Sequence, residues 1–229
     1  MRNEMMYRPI INKDILHYLR TEQKQLTGKL GALEELAHEN GVPVIPHETV
    51  VFLQFLLKQK QPKNVLEIGT AIGFSASLMA ESLGADAKIT TIDRFPVMIE
   101  KAKKNFEQLG LTEQVTLLEG DAVQILKTLE GSYDFIFMDA AKGQYIHFLP
   151  DVMRLLKVGG ILISDNVLQD GDIIESHYAV IRRNRTIYKR MREYLYELTH
   201  RKDLVTAVLP VGDGITVSTK VEVENDEKE

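Results

Sequence analysis

Five short apolar runs, separated by segments of helical length, constrain the fold of this 229-residue chain most strongly. The runs are residues 64–68, 88–92, 114–118, 133–138 and 160–164. The segments between them have the amphipathic spacing of helices, at 74–83, 96–109, 122–129 and 145–156. Buried parallel strands are typically continuous apolar runs, and each needs a crossover before the next strand. The alternation therefore predicts a doubly wound α/β sheet.

Further elements flank this alternating region on both sides. Apolar residues recur at helical spacing from about 12 to 60, and a longer helix is predicted at 178–200. Two more strands follow at 204–209 and 214–219. No repeat or low-complexity linker interrupts the sequence, which is long enough for one substantial core. We therefore predict one domain at 1–229, made of a helical segment at 1–60, a core at 61–220 and a polar tail at 221–229.

Composition limits the kind of metal site and the compartment. The chain has no cysteine, so disulfides and thiolate metal ligands are excluded, and a metal must be held by oxygen or imidazole. We find neither a signal-peptide core near the N-terminus nor an apolar stretch approaching the roughly 20 residues of a membrane span. We therefore expect a cytoplasmic protein that has no membrane partner and whose metal, if any, is a hard cation.

Small and acidic residues follow the first three predicted strands, at the edge where open parallel sheets bind ligands. Gly69 permits a tight turn and close approach of a ligand to the backbone. Asp93 ends the second strand, where its carboxylate can accept hydrogen bonds from both ribose hydroxyls of an adenosine cofactor. Asp121 and Ala122 follow the third strand and can flank an adenine ring. Their succession on three consecutive strands predicts an adenosine-cofactor pocket.

Oxygen donors follow the fourth and fifth predicted strands. Asp139 ends the fourth strand, and Asp165 and Asn166 end the fifth. Three converging oxygen donors suit a divalent ion such as Mg²⁺, with the remaining positions left to water and substrate. An isolated Asp-Asn pair more often forms a simple turn, so the prediction depends on Asp139 and on the resemblance described next.

The chain resembles class I S-adenosylmethionine (SAM) methyltransferases, specifically the cation-dependent O-methyltransferase family that includes catechol and caffeoyl-CoA O-methyltransferases. The resemblance covers about 30–218 and rests on motifs found in order at 65–70, 91–93, 119–122, 133–142, 165–166 and 210–216. It implies a Rossmann-like seven-stranded sheet, mostly parallel with an antiparallel terminal strand, plus N-terminal helices. It also implies SAM and Mg²⁺, or another divalent cation, as cofactors, and a homodimer.

The resemblance also implies roles for individual residues. The cofactor pocket would be formed by Val44, Ile45, Glu67, Gly69, Ser75, Asp93, Asp121, Ala122 and Asp139. In the family, the acid at the position of Glu67 approaches the methionine portion of SAM, and the backbone near Val44 and Ile45 completes the pocket.

Two catalytic residues are implied, Asp139 and Lys142. Lys142 matches the active-site lysine of the family, as a general base or as a charge that stabilises the developing oxyanion. The alternative for Lys142 is an ordinary solvated lysine. Tyr145 and His147 follow this segment, and we expect them on a helix surface rather than at the substrate entrance.

A basic segment indicates which kind of substrate accepts the methyl group. Residues 182–202 contain eight Lys or Arg against two Glu, within a protein of net charge −5. The predicted RNA-binding residues are Arg182, Arg183, Arg185, Lys189 and Arg192. Such a basic face beside the active edge can neutralise phosphates, and its richness in arginine favours phosphate contact over a merely solvated helix.

Within the family, the chain resembles the bacterial tRNA 5-hydroxyuridine methyltransferases. This implies methylation of the wobble base to 5-methoxyuridine, with the tRNA anticodon region as partner. The 5-hydroxyl and 4-carbonyl of the base form an oxygen pair that a metal can chelate, and an unpaired anticodon base is accessible. Two alternatives stay open: a small-molecule O-methyltransferase of the catechol or caffeoyl-CoA type, and a non-catalytic RNA- or nucleotide-binding protein with the same fold.

Overall fold

The computed structural model describes residues 11–223. From residue 11 onward, three helices precede the sheet, namely α1 (Lys13–Glu22), α2 (Gly28–Glu39) and α3 (His47–Lys60). They confirm the helical pattern predicted for about 12–60. The parts of the predicted helical segment and polar tail at 1–10 and 224–229 lie outside the described residues.

Strands and helices then alternate as the apolar runs predict. The elements are β1 (Asn64–Ile68), α4 (Phe74–Leu83), β2 (Lys88–Asp93), α5 (Pro96–Leu109), β3 (Val115–Glu119), α6 (Ala122–Thr128), β4 (Tyr133–Met138), α7 (Tyr145–Leu155), β5 (Leu156–Ser164), α8 (Arg185–His200), β6 (Leu204–Leu209) and β7 (Ile215–Lys220). Between residues 11 and 223, short 3₁₀ turns lie in the loops at Lys142–Gln144, Gln169–Ile174 and Arg182–Asn184.

The seven strands form one sheet in the order β3-β2-β1-β4-β5-β7-β6. Strands β1 to β5 pair in parallel, whereas β7 is antiparallel to both β5 and β6. The predicted seven-stranded, mostly parallel sheet is therefore confirmed, and its antiparallel last strand lies inside the sheet rather than at an edge. The strand order reverses between β1 and β4, which is where open α/β sheets bind ligands.

Two hydrophobic cores cover the two faces of the sheet. Residues of β4 alternate between them, because successive side chains of a strand point to opposite faces. Phe135 and Phe137 enter the core beneath α2, α3, α4 and α5, and Ile136 and Met138 enter the core beneath α6, α7 and α8. Within 11–223, no helix is both long enough and apolar enough to cross a bilayer.

The start predicted for the last helix is wrong. The prediction was 178–200, but α8 begins at Arg185, after a separate 3₁₀ turn. The guanidinium of Arg185 donates hydrogen bonds to the carbonyls of Val180 (3.1 Å) and Tyr178 (3.4 Å). These bonds tie the preceding loop back against the first turn of the helix, so the loop does not continue the helical path.

Candidate cofactor and metal site

A cavity of about 360 Å³ lies at the carboxyl ends of β1, β2, β3 and β4. Five of the predicted cofactor residues line it, namely Gly69, Asp93, Asp121, Ala122 and Asp139. Apolar walls are contributed by Phe95, Met98 and Phe148, among others. The volume and the mixture of apolar walls with a few acidic groups are typical of small-ligand sites.

The turn between β1 and α4 requires glycine at its first position. Gly69 has a φ of 106°, which L side chains rarely adopt, and a Cβ there would collide with the carbonyl oxygen of Asp139. The turn therefore lies against the end of β4, and its backbone is accessible from the cavity.

Asp93 is held in place by the same turn. Its Oδ2 accepts hydrogen bonds from the amides of Thr70 (3.1 Å) and Ala71 (2.8 Å), and its Oδ1 accepts one from the amide of Phe95 (2.9 Å). A carboxylate has about four acceptor sites, so one is left for a ligand hydroxyl, one fewer than the two ribose hydroxyls of the sequence prediction.

Asp121 forms the opposite side of the cavity. It caps α6 by accepting a hydrogen bond from the amide of Val123 (2.8 Å), and it pairs with Arg94 (3.1 Å). The Arg94 guanidinium in turn lies 5.1 Å from the centre of the Phe95 ring. The methyl side chain of Ala122 leaves room beside this wall for a flat ring.

The other four predicted cofactor residues do not line this cavity. Glu67 is fully buried below the turn and accepts hydrogen bonds from the hydroxyls of Ser75 and Thr91, each at 2.5 Å. Burial raises the pKa of Glu67 to about 8, even though both hydroxyl donors act in the opposite direction. Val44 and Ile45 precede α3 and pack into the first core.

Two of the predicted metal ligands follow neighbouring strands. The amide of Asp165 donates to the carbonyl of Met138 (2.9 Å), which joins the end of β5 to the end of β4 beside Asp139. Asp165 is only 1% exposed. Burial raises the pKa of both carboxyls, the charge of Asp139 raises the pKa of Asp165 further, and Lys142 opposes both shifts. Because this pair of acids lacks full compensation, its environment suits a bound cation.

Asn166 turns the chain away after β5. Its φ of 55° lies in the left-handed region, which asparagine tolerates better than most residues. Its amide donates to Oδ1 of Asp165 (2.8 Å). Within the described part of the chain, no three His, Cys, Asp or Glu side chains are grouped as a metal site. The predicted donor set, two carboxylates and an amide, is of a different kind and stays a prediction.

Lys142 faces an acid that the sequence prediction did not include. Its Nζ lies 3.7 Å from Oδ2 of Asp213, in the loop between β6 and β7. Burial raises the pKa of Asp213, whereas the hydrogen bond from the Asp170 amide (2.5 Å) and Lys142 lower it. The motif at 210–216 contains Asp213 and was the available signal, but nothing in the sequence pairs that loop with Lys142.

Two of the predicted RNA-binding arginines are bonded to the protein itself. Arg185 holds the loop before α8, as described above, and Arg192 donates to the carbonyl of Ile173 (2.8 Å). The Arg192 guanidinium also lies 5.5 Å from the centre of the Tyr188 ring. These arginines therefore anchor the segment that follows the candidate metal site.

Arg182, Arg183 and Lys189 are exposed, as is Arg192, and Arg183 also has an interaction within the protein. Arg182 and Arg183 lie in the 3₁₀ turn before α8, and Lys189 lies on the helix. This end of α8 is adjacent to the candidate active site, because Arg190 donates to the carbonyl of Gly143 (3.0 Å), next to Lys142.

Comparisons with known proteins agree on one family. A family model described as O-methyltransferase matches residues 24–221, a range that contains every predicted cofactor and metal residue. The chain is 36% identical to the catechol O-methyltransferase of Niastella koreensis, over 65% of this chain and 69% of that protein. It is 33% identical to the caffeoyl-CoA O-methyltransferase of Eucalyptus gunnii, over 75% and 72% respectively. Its fold is similar to SAH-bound Podospora anserina methyltransferase PaMTH1, with TM-score 0.82, 25% identity and coverage of 93% and 97%.

Proposed function

The chain belongs to the O-methyltransferase family, and on that premise we propose that it methylates one of two adjacent acceptor oxygens with SAM and a divalent cation. The observation that carries this proposal is the pair of carboxylates, half-buried Asp139 and buried Asp165, at the strand ends beside the cofactor cavity. Carboxylates in such a place are compensated by a cation better than by a single lysine.

The cofactor is positioned by the strand ends around the cavity. Asp93, which lines the cavity, would bind the ribose, and Ala122 would lie beside the adenine. The backbone of the Gly69 turn allows the rest of the cofactor to approach Asp139. Holding the methyl donor and the acceptor oxygen in line is itself a large part of the catalytic effect.

The acceptor is positioned by the metal ligands. Asp139, Asp165 and Asn166 would hold the cation, and its positive charge would favour the deprotonated form of an acceptor hydroxyl. The methyl donor would supply the methyl carbon to the acceptor oxygen, with the carbon–sulfur bond broken and a neutral thioether left behind. Lys142, held near Asp213, takes up the hydroxyl proton or stabilises the oxyanion.

Replacing one metal ligand tests this mechanism. Asp165→Ala should abolish Mg²⁺-stimulated methyl transfer while SAM binding, measured calorimetrically, stays nearly intact. Asp86→Ala, which removes an exposed carboxylate at a distant loop, is the matched control and should behave like the wild type. Undiminished Mg²⁺-stimulated turnover in Asp165→Ala would exclude the metal assignment.

For the acceptor, the proposal is 5-hydroxyuridine at the tRNA wobble position. The supporting observation is the exposed group of Arg182, Arg183 and Lys189 at the end of α8 beside the candidate active site. A small-molecule acceptor of the catechol or caffeoyl-CoA type is the second candidate, favoured by the identities to those relatives. A non-catalytic protein is disfavoured because Asp139 and Lys142 are both present at the site.

Nucleoside mass spectrometry distinguishes the two acceptor classes. In tRNA from a deletion strain, 5-methoxyuridine should disappear and 5-hydroxyuridine should accumulate. Purified enzyme should be assayed in parallel with catechol and with a hydroxycinnamoyl thioester. Unchanged 5-methoxyuridine together with turnover of either small molecule would reject the tRNA acceptor and establish the second candidate.

Charge replacement tests the exposed basic group directly. Combined replacement of Arg182, Arg183 and Lys189 by Gln should weaken tRNA binding. It should also make the negative slope of log K against log salt concentration less steep, by roughly 0.9 for each phosphate that the variant no longer neutralises. Lys101→Gln with Lys104→Gln is a suitable control, because both lysines are exposed on α5, which packs on the opposite face of the sheet. Equal salt dependence in both variants would count against RNA binding at α8.

A further inference from the structure

Tyr145 does not lie on a helix surface, so the sequence expectation for it is wrong, whereas His147 is exposed as predicted. Tyr145 is the first residue of α7 and is completely buried. Its ring contacts the second core together with Phe148 and Leu149. A tyrosine buried this deeply needs hydrogen-bond partners for its hydroxyl, and the identity of those partners is informative.

The hydroxyl of Tyr145 connects the ends of β4 and β5. It donates toward the carbonyls of Met138 and Asp165, each at 3.1 Å, and accepts a hydrogen bond from the amide of Ala140 at 3.3 Å. The ladder between β4 and β5 ends at the pair of Met138 and Ser164, and the Asp165 amide donates to the Met138 carbonyl. The tyrosine hydroxyl thus supplies a link at the point where the sheet ladder ends.

The ring that carries this hydroxyl is itself held by a second buried tyrosine. Tyr194, on α8, meets the Tyr145 ring edge-on, with centroids 5.5 Å apart and an angle of 73°. The Tyr194 hydroxyl is 2.6 Å from Oγ of Ser164, the last residue of β5. Both tyrosines therefore connect helices of one face to the strand ends that carry the predicted metal ligands.

We propose that Tyr145 is a positioning residue that sets the spacing of Asp139 and Asp165, and thereby the preference of their site for a small divalent cation. This inference rests on the proposed metal function. Mg²⁺ demands near-ideal octahedral geometry, whereas Ca²⁺ accepts longer and more variable ligand distances. Loosening the two strand ends should therefore harm Mg²⁺ binding more than Ca²⁺ binding.

Calorimetric titration of Mg²⁺ and Ca²⁺ into the purified full chain tests this. Tyr145→Phe removes only the hydroxyl, and it should weaken Mg²⁺ binding by about 10- to 100-fold, the range found when a residue that orients metal ligands from outside the coordination shell is replaced. Ca²⁺ binding should fall much less. Tyr188→Phe is the control, because it removes a tyrosine hydroxyl that donates to a carbonyl away from the strand ends, that of Glu175 at 2.8 Å, and it should keep both affinities.

Each outcome bears on a different statement. If wild-type protein binds neither ion, both the metal function and the role of Tyr145 are refuted. If the wild type binds Mg²⁺ but Tyr145→Phe binds both ions as the wild type does, or loses both equally, only the positioning role is refuted. Should Tyr145→Phe fail to fold, Tyr194→Phe provides the test: a selective loss of Mg²⁺ affinity supports the role, and unchanged affinities overturn it.

Discussion

Replacing Glu67 by Gln should remove a pH dependence of stability that one buried side chain causes. Burial raises the pKa of Glu67 from 4.5 to about 8 in the folded protein. Between these values the folded state keeps a proton that the unfolded chain has released, so the free energy of unfolding falls as pH rises through this window. The contribution is fully present below pH 4.5 and is lost by about pH 8. At roughly 1.4 kcal/mol per pH unit, the loss across the window is about 5 kcal/mol.

Glutamine resembles the protonated acid and can still bond to the hydroxyls of Ser75 and Thr91. In chemical denaturation across this pH range, the free energy of unfolding of Glu67→Gln should therefore increase relative to that of the wild type as pH rises. Glu107→Gln, an exposed change of equal charge on α5, should follow the wild type. Parallel pH profiles for the wild type and Glu67→Gln would refute the reasoning, because they would mean that Glu67 titrates alike in both states.

Two further substitutions probe the glycine turn and the N-terminal helices. Gly69→Ala should lower the free energy of unfolding by roughly 2–4 kcal/mol and abolish SAM binding in calorimetry, because it adds backbone strain and a collision with the Asp139 carbonyl. Gly84→Ala, where the added methyl meets no atom, should cost only the strain of its positive φ and keep SAM binding, so equal losses would contradict the collision. Arg20→Ala should cost roughly 1–3 kcal/mol in chemical denaturation, because it leaves the buried Glu48 carboxylate without its two bonds of 2.9 Å. Adding Glu48→Gln should recover most of the lost stability. If it does not, the loss is not due to the unpaired Glu48 carboxylate.

Local signals explain why much of the fold can be predicted from the sequence. Helices α4 and α5 occupy the predicted 74–83 and 96–109. Gly84 and Gly110, both with positive φ, follow the ends of α4 and α5, and Pro96 begins α5. These three helix boundaries therefore depend on neighbouring residues alone. The acids at the strand ends could be identified for a similar reason, since parallel strands bring their carboxyl ends to one edge.

Long-range contacts account for what could not be predicted. Strand β5 begins at Leu156 rather than at the predicted 160, because Leu156 pairs with Tyr133 across an irregularity in the ladder. The pairing of Lys142 with Asp213 and the burial of Tyr145 likewise depend on elements distant in sequence. Periodicity indicates which residues of one element share an apolar face. It does not indicate which distant loop or helix packs against that face.

Because β7 lies between β5 and β6, the cofactor half and the metal half of the site are expected to fold at different times. Strands β1 to β4, with their crossovers, lie within 64–138 and surround most of the cofactor cavity, so this half can assemble as soon as that stretch has left the ribosome. Strand β5, which Asp165 directly follows, stays an open edge until 215–220 has been synthesised and pairs with it. Pairing β5 with β7 closes the long segment 165–214, which is entropically costly. The metal half is therefore expected to be the last and slowest part of the molecule to fold.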